Sequence, residues 1–278
     1  MFESSADIIK YMESQRDDVQ RENLMRFFKT GVGEYGFGDE FLGIKVPQTR
    51  EVVKKTAKDF SLNEIPTLLM NRWHEVRLCG LLIMVQKFER LATKRLENDL
   101  DSIRARDEIV TMYLDYAEQA NNWDLVDLSA PKILGHWLML PSLQGGGTSE
   151  MPTLQTEYKL RLLDSLADSD NLWKQRISMV CTWWTSQVGD ASWCLRYAEK
   201  HLRHPHDLMH KAVGWMLREM GKRISMDLLR DFLHRHSNEI SRTTLRYAIE
   251  KMSDEEQRSF KTGRPCETDN IRQKKRPL

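Results

Sequence analysis

Apolar residues recur at three- and four-residue intervals along almost the whole chain, and alternating Val/Ile/Thr runs of strand type are missing. That pattern predicts an all-α protein. The helices it predicts are 4–12, 15–29, 47–58, 62–70, 74–89, 100–120, 122–139, 155–168, 170–187, 190–203, 206–222, 225–236, 240–251 and 253–261. Three segments place a basic residue at the head of an apolar helix: Val76-Arg77-Leu78-Cys79, Gln175-Arg176-Ile177-Ser178 and His210-Lys211-Ala212-Val213. The last two are separated by roughly one helix-pair repeat. Pairs of this kind stack into a curved solenoid with a concave face, and a compact helical bundle is the alternative architecture. Residues 1–262 are read as one domain. The glycine-rich connection Thr30 to Gly43 and the polar, glycine-rich insertion at 141–152 interrupt the pattern. The tail, 263–278, lacks periodicity and is expected to be disordered, with Lys274-Lys275-Arg276 either a DNA-attracting or import segment or a solvated end.

The 278 residues, 40% of them hydrophobic, are enough to bury a sizeable core. Forty-two basic side chains nearly cancel 41 acidic ones, leaving a net charge of +1, so any nucleic-acid footprint must be local. Cys79, Cys181, Cys194 and Cys266 are widely spaced with no C-x-x-C pair, which argues against a zinc ribbon, an Fe–S cluster or a disulfide framework and fits a reducing compartment. No stretch approaches the roughly 18 apolar residues of a membrane span, and Met1 to Lys10 has no signal-type apolar region. A soluble protein without membrane association is therefore expected, placed inside the cell, cytoplasmic or nucleoid-associated, or nuclear in a eukaryote; a monomer is also expected.

Candidate chemistry lies at four places. In Asn122-Trp123-Asp124-Leu125-Val126-Asp127 the asparagine is a candidate N-cap, and Asp124 suits the positive end of the helix dipole. Asp127 falls a turn further in, on the same face as Trp123. Pro131 lies inside this predicted helix and cannot donate to the Asp127 carbonyl, so a kink that turns Asp127 outward is expected. The other reading of Asp127 is a helix-edge carboxylate paired with a nearby lysine. Arg176 interrupts the edge of an apolar stripe formed by Trp173, Ile177, Val180, Cys181 and Trp184 and needs an anion there, either a neighbouring carboxylate or a phosphate held by both arms of the guanidinium. Trp215 has Lys211 at i−4, Arg218 at i+3 and Lys222 at i+7, whereas Val213, Met216, Leu217 and Met220 form the neighbouring apolar stripe. An aromatic among cations suits a sugar-phosphate backbone; lysines merely solvating a helix are the alternative. Gly214 would let a second helix come close.

At these residues the chain resembles the AlkD-type DNA alkylation repair family, whose members are HEAT-like-repeat DNA glycosylases. The likeness runs from about Asn23 to Phe260, on Phe41-Leu42-Gly43-Ile44-Lys45-Val46-Pro47, Asn122 to Asp127 with Ala130-Pro131, Trp173 to Arg176, and Gly214-Trp215-Met216-Leu217-Arg218-Glu219. It implies Asp127 as the catalytic carboxylate, Trp123 and Trp215 as aromatic walls around the lesion nucleotide, and Arg176 and Arg218 as DNA contacts. Phe27 stands where the best-known members have a tyrosine, which leaves packing without a hydroxyl. The partner implied is double-stranded DNA containing alkylated bases, with no deep base pocket and no cofactor. A purine alkylated at N3 or N7 is cationic and leaves readily, so one carboxylate can both stabilise the oxocarbenium-like sugar and orient water. Because some relatives are thought to have lost activity, a non-catalytic solenoid that binds DNA or a protein through the same face is the competing function.

Other chemistries find no support in spacing. The glycines before Phe41 lack the G-x-x-x-x-G-K-[ST] pattern and follow no strand. His201, His204, His206 and His210 cluster at a helix break, where capping is expected, and no metal site is assigned. The H-x-E with P-C-x-x-C signature of zinc deaminases is missing, as is any local triad.

Overall fold

A computed structural model describes residues 2–146 and 152–263. The middle of the 141–152 insertion and the basic tail, with Cys266 and Lys274 to Arg276, lie outside the described residues. The protein is an all-α helical repeat. Among the described residues the one extended pairing is an isolated parallel bridge between Glu40 and Trp73.

The chain divides into two compact units, residues 1–181 and 182–278. The first contains α1 (Ser5–Ser14), α2 (Asp18–Phe27), α3 (Val46–Thr56), α4 (Ile65–Leu69), α5 (His74–Leu91), α6 (Leu100–Asp115), α7 (Trp123–Ser129), a π-helical turn (Pro131–Gly135), α8 (His136–Leu138), α9 (Pro152–Ala167) and α10 (Leu172–Val180). The second contains α11 (Thr182–Gln187), α12 (Ser192–Lys200), α13 (Asp207–Arg223), α14 (Met226–Arg235), α15 (Arg242–Ala248) and α16 (Asp254–Thr262). The predicted 170–187 helix is therefore two, broken at Cys181, and the predicted 122–139 helix is α7, the π turn and α8. Pro131 is the cause of the second change. It cannot continue the i→i−4 ladder, and the wider turn closes with the Gly135 amide donating to the Ala130 carbonyl at 2.9 Å.

In the first unit α3, α5, α7 and α10 form a row of neighbours, while α4 and α6 pack on α5, α6 also meets the π turn, and α9 packs on α10. The starts of α3 and α5 are tied, and so are the ends of α5 and α7. At the start, the buried Glu75 carboxylate accepts from the amides of Leu42, Gly43 and Ile44 just before α3, at 2.8–3.0 Å. Gly43 has φ +91°, and a Cβ there would meet the Asp17 carbonyl at 2.1 Å, so only glycine can make this turn. At the far end Lys132, after α7, pairs with Glu89 of α5 at 3.1 Å. The fully buried Arg106 of α6 donates to the Leu91, Leu96 and Glu97 carbonyls and closes the C-terminus of α5.

In the second unit α13 is central, packed by α11, α12, α14 and α15. Its close approach to α15 depends on Gly214, as expected: a Cβ there would lie 2.5 Å from the Thr244 carbonyl and 2.6 Å from Tyr247 Cβ.

Candidate functional site

α7 presents its side chains to opposite surroundings. Asn122 is the N-cap and Asp124 the acidic residue of the first turn, as the sequence suggests. Asp124 faces inward, and its carboxylate meets His74 Nε2 at 2.9 Å. His74 Nδ1 meets Asp39 at 2.7 Å, and Arg77 donates to the other oxygen of Asp39. Burial disfavours charge on His74, but Asp124 and Asp39 outweigh it and raise the imidazole to about 9. Asp39 is likewise opposed by burial, yet His74 and Arg77 hold it below the usual carboxylate range. An aromatic column runs from this clamp to the surface: His74 stacks on Phe41 at 4.4 Å, Phe41 on Phe28 at 5.1 Å, and Phe28 on Trp123 at 5.3 Å. Phe27, 61% exposed, touches Trp123 edge-on at 5.8 Å, a packing role without any hydroxyl.

Asp127, one turn on, is half-buried with 16% of its side chain exposed, so the π turn after it does not turn it fully outward. Both its oxygens accept from Arg176 of α10, Oδ1 from Nε and Oδ2 from Nη2, each at 2.9 Å. Of the two anions left open for Arg176, the carboxylate is the one it holds. Arg176 is buried, 4% exposed, so the partner seen in the fold is a carboxylate. The Asp127 partner is accordingly an arginine, not a lysine. Burial raises the Asp127 carboxyl above its ordinary value, Arg176 opposes that rise, and Asp124 adds to it. Trp173, three residues before Arg176, is buried and meets Tyr35 edge-on at 6.3 Å, so the 30–43 connection reaches the start of α10.

The second unit carries the remaining candidates. Trp215 is half-buried beside the buried stripe of Val213, Met216, Leu217 and Met220. Its three neighbouring cations are not equally available. Lys211 pairs with Asp207 at 2.8 Å, and Arg218 is 17% exposed and paired with Glu219, its chain neighbour, and with Glu250. Lys222 is exposed. Of the histidines at the helix break, His206 caps α13 by accepting from the Leu208 amide at 3.1 Å. Its own amide donates to His204 Nδ1, and His210 Nε2 bonds the His204 carbonyl.

Sequence reasoning did not pick out His74, Asp39 or Glu75. A signal was present: His74, Glu75 and Arg77 stand together at the head of α5, a long and largely buried helix, and a charged residue in a buried helix needs a partner.

The family model for the DNA alkylation repair enzyme matches residues 8–252. A solved structure described as a predicted DNA alkylation repair enzyme from Enterococcus faecalis superposes with a TM-score of 0.59 at 14% identity, covering 86% of this chain and 97% of that one. At that identity the likeness shows the fold. No curated protein matches.

Proposed function

The chain belongs to the DNA alkylation repair enzyme family, and from that premise we propose that it is a DNA glycosylase releasing cationic N3- or N7-alkylated purines, such as 3-methyladenine and 7-methylguanine, from duplex DNA. The observation that carries this reading is Asp127: a carboxylate kept 16% exposed, one helical turn from the half-buried Trp123. In the reaction the C1′–N bond breaks and its electron pair neutralises the purine cation as it leaves. A water oxygen then bonds to C1′, with Asp127 orienting that water, accepting its proton and countering the sugar's developing positive charge. Arg176 fixes the carboxylate through two parallel hydrogen bonds and so acts as a positioning residue. The Trp123 face adds attraction for the cationic base of roughly 0.5–2 kcal/mol. On the second unit, Trp215 with Lys211 and Lys222 is proposed as a further DNA-contact face.

One observation favours the non-catalytic reading. Both Asp127 oxygens are already engaged by Arg176, as in a purely structural ion pair. Incubation of the purified protein with methylated duplex DNA, followed by analysis of free bases, separates the two. Release by the wild type and a fall of at least about 10²-fold in Asp127→Asn, with DNA affinity largely kept, is expected. Equal release by the variant overturns the role of Asp127, and binding without any release identifies a non-catalytic DNA binder.

A further inference from the structure

A cleft of about 190 Å³ opens between α3, α5 and the π turn, lined by Arg50, Lys54, Val53, Val85, Gln86 and Lys132 among others. Arg50 and Lys54 stand one helical turn apart on α3, so their side chains share a face. Both are exposed and neither has an ion-pair partner among the described residues. Across from them Lys132 is held by Glu89, the one carboxylate in the lining. Three cations against one anion leave the cleft positive over an apolar floor of Val53, Leu82 and Val85, where a charge is less screened than in open water. At about 30 Å³ per water, the volume takes a phosphate group with some of its hydration.

Position gives the occupant. The cleft lies between α3, α5 and the turn that follows α7, neighbours in the row α3, α5, α7, α10. Asp127 reaches solvent from that same row. Lys132, in the cleft lining, lies five residues after Asp127 on the α7–π turn segment, about 7.5 Å of helix. At 3.4 Å per base pair this is a reach of roughly two base pairs. We propose that this cleft is a phosphodiester subsite, in which Arg50 and Lys54, with Lys132 beside them, grip the DNA backbone next to the nucleotide at Asp127. The inference rests on the DNA-repair reading above.

The test measures binding of the full chain to a defined duplex as salt is raised. Removing a phosphate contact lowers the slope of log affinity against log salt by about one. The double variant Arg50→Ala/Lys54→Ala is expected to lower the slope by about two, while Arg50→Lys/Lys54→Arg keeps it. Arg104→Ala on α6, which removes an exposed charge elsewhere, leaves it unchanged. An unchanged slope in the double variant overturns the subsite while leaving the glycosylase reading standing. A drop of about one in Arg104→Ala also overturns it, since net charge, at the same loss per cation, then explains the effect. A wild type that does not bind duplex DNA sinks both.

Discussion

Asp124 and Asp127 sit three residues apart on α7 and both meet cations, yet their surroundings differ in access and in stoichiometry. Asp124 is 6% exposed and belongs to a sealed group in which two carboxylates face a protonated His74 and Arg77, a balanced set. Asp127 faces one guanidinium across one open edge. The first arrangement fastens α5, α7 and the connection before α3 to one another. The second leaves a carboxyl raised by burial, close enough to water to act on something that docks there. An ion pair by itself therefore does not separate a clamp from a reactive group; the route to solvent does.

The largest effect that would break this contrast is expected at the sealed group. His74→Ala leaves Asp39 and Asp124 buried without their shared partner, a loss of about 3–5 kcal/mol that a urea midpoint will report. A wild-type midpoint would show that the clamp contributes nothing.

Next is the pH dependence of the same group. Because the folded-state pKa of His74 is raised from 6.5 to about 9, its stabilisation is complete below pH 6.5 and is lost as pH rises through 9. At about 1.4 kcal/mol per unit the change is on the order of 3 kcal/mol. Melting temperatures between pH 6 and 9.5 should fall in the wild type and stay flatter in His74→Gln; parallel curves would contradict the assignment.

The open pair is sharpened by Arg176→Gln. Removing the charge that opposes the rise of Asp127 moves the acid limb of base release to higher pH, and loosening the carboxylate lowers release by on the order of 10²-fold. A pH profile that keeps its acid limb would argue that Asp127 is not the titrating group. The smallest effect is expected on the second unit. Arg218→Gln removes a partly exposed pair with Glu219 and Glu250, worth about 1 kcal/mol or less, and thermal melts resolving a larger loss would mark that pair as structural.

Much of the helix inventory was legible in one dimension, because burial of one face imposes a 3.6-residue period on any helix that packs. Boundaries failed where local geometry overrode periodicity, at Cys181 and at Pro131. The site was legible as residue types. Asp127 beside Trp123, a buried arginine in need of an anion, and a glycine at a helix crossing were all readable from spacing. Which anion satisfied Arg176 was not, since Asp127 lies 49 residues away.

The sequence alone determined the all-α repeat, the Asn122 cap and the Gly214 close approach, all consequences of local sterics and periodic burial. Only the tertiary structure decided that Arg176 and Arg218 are engaged by carboxylates, that His74 carries two aspartates, and that Arg50 and Lys54 share a cleft with Lys132. Charge pairing depends on distance in space, and chain separation carries no record of it.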